Sequence, residues 1–244
     1  MSDRQVLLSK RLQMLADLVT PGNRLVDVGC DHGFLSIYLV QNKICPVALA
    51  MDVRKGPLAA AQEHIETAGL EDYISLRLSD GLLNFQDGEA DTMVCAGMGG
   101  RLMAKILTDS MQKAQNLREL ILQPQSELRE FRSFLRENGF EIRQEDAVLE
   151  EGKYYFCMKA VFTGKNDTAD GISNEYGELL LSQKHPVLYQ YLSFRKKLLA
   201  ELETALIAGN SVRAADRLAE IKTELAEVNT ALAQFEENGV YGNS

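Results

Sequence analysis

The sequence predicts an α/β protein whose strands form one doubly wound, mostly parallel, seven-stranded sheet, followed by an α-helical, coiled-coil-like hairpin. Three observations predict it. Short apolar runs alternate with amphipathic or Ala-rich stretches from residue 24 to residue 138, the pattern of successive βα units. Two strand-like runs joined by the turn-prone Glu150-Glu151-Gly152-Lys153 close that region as a hairpin. Further on, Leu218, Ile221, Leu225, Val228, Leu232 and Phe235 recur at helical spacing and form an a/d seam.

The elements follow in order. An amphipathic start (Leu7, Leu8, Leu12, Leu15, Leu18, Val19) is broken by Pro21-Gly22-Asn23, and residues 24–29 read as a buried strand. A mostly apolar helix over 34–40, a strand over 46–51 and an Ala-rich helix over 57–68, stopped by Gly69, complete one βαβ unit. Strands follow at 73–78 and 92–96, then Gly97-Met98-Gly99-Gly100 leading into a helix through 107, a strand at 120–122, and a helix over 126–138 closed by Gly139. The runs 140–148 and 154–162 form the closing hairpin, which adds an antiparallel edge strand to a Rossmann-like sheet. A polar stretch over 163–171 separates this unit, 1–162, from a helical unit, 172–244. There, Leu188, Leu192, Leu199, Leu202 and Leu206 give a looser seam, and Ala208-Gly209-Asn210-Ser211 reads as the connector, with Ser as N-cap. This hairpin is either a packing or dimer element or a substrate-binding arm, so a monomer or a homodimer is expected.

Composition narrows the function classes. With 244 residues, 45% of them hydrophobic and 25% charged, the chain is an ordinary globular sequence long enough for a domain and a smaller unit. No apolar run approaches the roughly 20 residues of a membrane span, and the N-terminus lacks a signal peptide's apolar core, so a cytoplasmic location without a membrane partner is expected. Cys30, Cys45, Cys95 and Cys157 are scattered without a CxxC pair, which predicts buried free thiols and no metal. A net charge of −9 argues against non-specific coating of nucleic acid but leaves room for a local basic face. Lys10-Arg11, Arg129-Arg132-Arg136 and Arg195-Lys196-Lys197 are the candidates, and each, taken singly, reads first as a solvated helix face.

In a doubly wound sheet a ligand sits beyond the carboxyl ends of the strands. The first such end carries Asp27-Val28-Gly29-Cys30-Asp31-His32-Gly33, where Gly29 and Gly33 permit a tight turn. Asp31 and Phe34 stand where a GxGxxG fingerprint has glycines. A pyrophosphate would be repelled by Asp31, whereas a sulfonium is positively charged, so the acid selects S-adenosyl-L-methionine over NAD. Asp52, followed by Val53, ends the second strand and suits two ribose hydroxyls, or else caps the next helix. Asp80-Gly81 ends the third and suits an adenine amino group, or is a plain turn. At the fourth, Gly97, Met98 and Gly99 suggest close backbone approach to cofactor or target. His32 faces the ligand or is structural, and His64 and His185 read as surface residues.

At these residues the sequence resembles the bacterial tRNA (adenine-22-N1)-methyltransferases. The resemblance runs through Leu8-Ser9-Lys10-Arg11-Leu12, Asp27 to His32, Gly56-Pro57, Asp80-Gly81-Leu82, Ala96 to Gly100, Leu122-Gln123-Pro124, Gly152-Lys153 and Tyr155. Departures fall at Cys30, Gly33-Phe34, Gln125 and Phe156, where the family has Ser, Ala-Tyr, Asn and Glu. The resemblance implies a class I methyltransferase domain with a helical extension, S-adenosyl-L-methionine as cofactor and tRNA as partner. Strand-end placement and the resemblance together give Arg11, Asp27, Gly29, Cys30, Asp31, His32, Gly33, Asp52, Val53, Asp80, Gly81, Gly97, Met98 and Gly99 as the expected cofactor contacts, with Arg11 on the methionine carboxylate. Gln125 on the adenine edge, Tyr155 stacked on it and Asp31 facing the developing charge are the expected catalytic contacts. Methylation of another RNA, a protein or a small molecule, and a non-catalytic NAD-binding module, are the alternatives.

Overall fold

The computed structural model describes residues 6–209 and 212–236. Contacts divide the chain into two compact units, Met1–Thr168 and Ala169–Ser244.

In the first unit the helix α1 (Lys10–Leu18) starts at Ser9, whose hydroxyl accepts the Leu12 amide at 3.3 Å, and buries Met14, Leu15 and Leu18. The strand β1 (Leu25–Val28) is buried at all four positions, which explains its unbroken apolar run. Next come α2 (Phe34–Gln41), β2 (Ala48–Asp52), α3 (Lys55–Ala68) and β3 (Ile74–Leu78). Gly69 ends α3 in the left-handed conformation, φ +65°, and the Leu70 amide reaches back to the Ile65 carbonyl, closing a Schellman-type cap. β4 (Thr92–Met98), α4 (Gly100–Asp109), α5 (Met111–Asn116), β5 (Glu119–Pro124), α6 (Leu128–Glu137), β6 (Phe140–Glu150) and β7 (Lys153–Phe162) complete the unit.

The sheet order is β3-β2-β1-β4-β5-β7-β6. Strands β1 to β5 are parallel, so the order reverses between β1 and β4 and leaves a crevice over their carboxyl ends. Helices α1, α2 and α3 pack together, as do α4, α5 and α6, which is what right-handed crossovers in two directions require. The antiparallel strand is not the edge strand expected from sequence. β7 inserts between β5 and β6, and β6 takes the edge. The hairpin turn is two residues, Glu151 at φ +48° and Gly152 at φ +76°, both left-handed as a type I′ turn demands.

The basic face expected from Arg129, Arg132 and Arg136 does not form. The Arg132 side chain is fully buried with Nε 2.8 Å from Glu145 of β6, and Arg136 is nearly buried with Nη1 2.9 Å from Asp167. Spacing alone could not distinguish a solvated stripe from one whose charges are matched inside.

The second unit holds α7 (Gly171–Tyr176), α8 (Glu178–Ser182), α9 (Pro186–Gly209) and α10 (Val212–Glu236). α9 and α10 pair antiparallel: Tyr189 and Phe235 rings lie 5.5 Å apart, and Lys184 donates to the Phe235 carbonyl. Leu188, Leu192 and Leu199 are buried with Ile221, Val228, Leu232 and Phe235, whereas Leu202 is exposed. Arg195 is ion-paired to Glu224, leaving Lys196 and Lys197 as the exposed bases of that cluster. The expected connector residues Asn210 and Ser211 lie outside the described residues. Among the described residues no helix is long and apolar enough to cross a membrane.

Candidate functional site

A cleft of about 550 Å³ opens over the carboxyl ends of β1 to β4, in the size range of small-ligand sites. The turn after β1 shapes its floor. Gly29, Asp31 and Gly33 have φ of +77°, +51° and +74°, and the Gly29 and Cys30 amides both donate to the Met51 carbonyl. A side chain on Gly29 would meet Met98 Cε at 2.7 Å, so glycine there lets the β1 turn and the end of β4 share the cleft floor.

The expected cofactor residues Arg11, Asp27, Gly29, Cys30, Asp31, His32, Asp52, Val53, Asp80, Gly81, Gly97 and Met98 all line this cleft. Gln125 lines it too. Three expected residues do not. Gly33 begins α2 and is glycine because Cβ would meet Ala61 of α3 at 3.2 Å. Gly99 faces Ser126, and its neighbour Gly100 would drive a Cβ to 2.6 Å from the Ser126 carbonyl, so these glycines serve packing against the β5–α6 turn. Tyr155 stands behind the lining, its ring 5.7 Å under the Arg11 guanidinium. His64 is half-buried rather than a surface residue: its ring stacks on Phe34 at 4.6 Å and its Nδ1 meets the His32 carbonyl at 3.0 Å.

Sequence reasoning missed the apolar wall. Leu102 and Ile106, one turn apart on α4, line the cleft, and Gly81 lets Ile106 approach, since a Cβ there would meet Ile106 Cγ2 at 2.7 Å. The i, i+4 pair at the start of a helix after a strand end was the available signal. Ser79, whose hydroxyl donates to the Gly81 carbonyl at 2.9 Å and accepts the Asn84 amide at 3.1 Å, holds the turn that carries Asp80.

Charge defines what the cleft can hold. Asp27 and Asp52 are each 5% exposed, and Asp31 and Asp80 stand at the rim. Burial pushes the Asp27 pKa up to about 6; the Ser36 hydroxyl at 2.8 Å opposes the shift, and the charges of Asp52 and Asp31 add to it. Asp52 does not cap α3, whose N-cap is Arg54 without a side-chain bond. Its Oδ1 accepts the Arg54 amide at 2.8 Å, which fixes the carboxylate at the β2 end. A wall carrying four acids and an apolar face fits a cationic ligand with an aromatic part.

Because folded Asp27 holds its proton more tightly than the unfolded carboxyl does, its contribution to stability is full below about pH 4 and is lost as pH rises through about 6. Asp27→Asn, which does not titrate, is therefore expected to raise the melting temperature of the ligand-free protein at pH 8 by a few degrees, and to lose that advantage near pH 4. Thermal scans across this range check it; a difference independent of pH would contradict titration of Asp27 as its origin.

Comparisons with known proteins agree with this geometry. Residues 8–158 match the family model of a methyltransferase domain. The tRNA (adenine(22)-N(1))-methyltransferase of Bacillus subtilis (strain 168) is 36% identical over 176 residues, 72% of this chain and 74% of that one. The crystal structure of the B. subtilis M1A22 tRNA methyltransferase TrmK matches with a TM-score of 0.81 at 28% identity, over 93% of this chain and 99% of that one. Streptococcus pneumoniae Sp1610 in complex with S-adenosyl-L-methionine matches with a TM-score of 0.82 at 31% identity, over 93% and 100%. With the doubly wound sheet and the acidic cleft at its switch point, these matches establish that the chain belongs to the methyltransferase-domain family and, within it, to the tRNA (adenine(22)-N(1))-methyltransferases.

Proposed function

We propose that the protein methylates N1 of adenine 22, in the D-arm region of tRNA, using S-adenosyl-L-methionine. The observation that carries this reading is the cleft with Asp27 and Asp31 about the end of β1, Asp52 at that of β2 and Asp80 beyond that of β3, in a chain 36% identical to an enzyme of that name. In this reading Asp52 accepts the ribose hydroxyls, Asp80-Gly81 meets the adenine between Val53 and the Leu102–Ile106 wall, and the methionine part lies over Gly29 to Asp31 with Arg11 on its carboxylate. When bound, the cofactor supplies a methyl group on a positively charged sulfur.

Adenine N1 carries a free lone pair, so methylation there would require no proton to be removed and no base from the protein. Position is then the main contribution of the protein. The base must leave its stack, Gln125 and the Gly97 backbone bound its approach, and Asp31 faces the charge that forms on it. Tyr155 acts through Arg11 in this arrangement.

The same reading places the protein in the cytoplasm, with residues 1–162 as the catalytic domain and 172–244 as a helical domain that contacts the tRNA body. The exposed Lys10, Arg101, Lys196 and Lys197 supply phosphate contacts on an otherwise acidic protein. Incubating the enzyme and cofactor with tRNA that lacks modifications, followed by nucleoside mass spectrometry, is expected to yield 1-methyladenosine. Methyl transfer to another nucleoside alone would overturn the assignment of N1.

A further inference from the structure

Gln123 lies behind the cleft wall, and two parts of the cleft meet on it. It is the penultimate residue of β5, 1% exposed, and pairs with Ala96 of β4. The register between β4 and β5 shifts between Ala96 and Met98, so Gly97 is the extra residue of a β-bulge and its amide falls out of the ladder. Gln123 Oε1 takes up that amide at 3.3 Å and also accepts from Arg11 Nη1 at 3.2 Å. Two donors converging on one atom require the carbonyl oxygen there, with both lone pairs used. Arg11 is thereby held between the Tyr155 ring and the Gly97 bulge, at the wall of the cleft.

We infer that Gln123 is a positioning residue for methyl transfer: its side-chain oxygen locks the Arg11 guanidinium to the Gly97 bulge, so that cofactor anchor and base-facing backbone keep one fixed relation. The inference rests on the proposed function, in which Arg11 meets the cofactor carboxylate. Gln123→Met keeps the side-chain length and removes the acceptor. It is expected to weaken S-adenosylhomocysteine binding by about tenfold, because the hydrogen bond that holds the charged Arg11 is lost and the Gly97 amide is released with it. Gln123→Glu, which returns an acceptor oxygen to both donors, recovers most of that loss.

The test is calorimetric titration of S-adenosylhomocysteine into the wild type, Gln123→Met, Gln123→Glu, Arg11→Met and the Arg11→Met/Gln123→Met pair, with thermal unfolding of each. If Gln123 acts through Arg11, Gln123→Met costs much less affinity once Arg11 is gone. A merely structural role lowers the folded fraction and kcat while leaving Kd unchanged. Equal losses in both backgrounds, wild-type affinity in Gln123→Met, or a Gln123→Glu variant no better than Met would each overturn the inference. Failure of the wild type itself to bind would instead overturn the functional reading, and the two failures are read from different proteins.

Discussion

Asp52→Ala is expected to weaken S-adenosyl-L-methionine binding by at least about a hundredfold, since hydrogen bonds to a carboxylate contribute about 1.5–3 kcal/mol each and a ribose offers two. The carboxylate is already fixed before any ligand arrives, with Oδ1 on the Arg54 amide at 2.8 Å and only 5% of the residue exposed. No reorganisation then offsets the gain on binding. The fold should survive the change, because α3 begins at Arg54 without a side-chain cap from Asp52. Calorimetry on a protein shown by thermal unfolding to be intact checks this. Unchanged affinity would remove Asp52 from the ribose and with it the orientation proposed for the whole cofactor.

The largest expected loss of stability lies away from the cleft, at Arg132. This guanidinium and the Glu145 carboxylate are 0% and 1% exposed, with Nε and Oε1 2.8 Å apart, and they join α6 to β6. Arg132→Met leaves a carboxylate buried without its cation, which costs about 3–5 kcal/mol. Arg132→Met together with Glu145→Met removes both charges and is expected to regain most of that loss, since replacing a buried pair by apolar groups is often close to neutral. Denaturant unfolding of the three proteins separates the cases. A single variant within about 1 kcal/mol of the wild type would contradict the cost assigned to the buried carboxylate.

Most of the fold was legible because its strands are short apolar runs between turn residues, and because buried parallel strands such as Leu25–Val28 tolerate few polar positions. The helices at Gly171–Tyr176 and Glu178–Ser182 escaped notice: each is about one turn and a half, too short for periodicity to register. The place of β7 inside the sheet was also hidden, since local pattern shows that two strands form a hairpin without showing which of them meets β5.

The acids of the candidate site were legible from position alone, as Asp27 is the penultimate residue of β1, Asp52 the last of β2, and Asp80 lies two residues beyond β3. The glycines were harder. Gly29 and Gly81 admit Met98 and Ile106 to the cleft wall, whereas Gly33 and Gly100 are small because a neighbouring helix and a neighbouring turn press on them. A sequence shows that a side chain is absent but not what occupies its space. Gln123 stands in the sequence pattern, but its role was hidden for a related reason: it depends on a bulge in a partner strand, which no one-dimensional pattern records.

Two tRNA transcripts that differ only at position 22 test the methylation of one adenine at N1. With S-adenosyl-L-methionine carrying a labelled methyl group, the transcript with adenine at 22 is expected to take up one methyl group, recovered as 1-methyladenosine and seen as a stop at that position in primer extension. The transcript with guanine at 22 is expected to take up none. Equal incorporation into both transcripts would contradict the account.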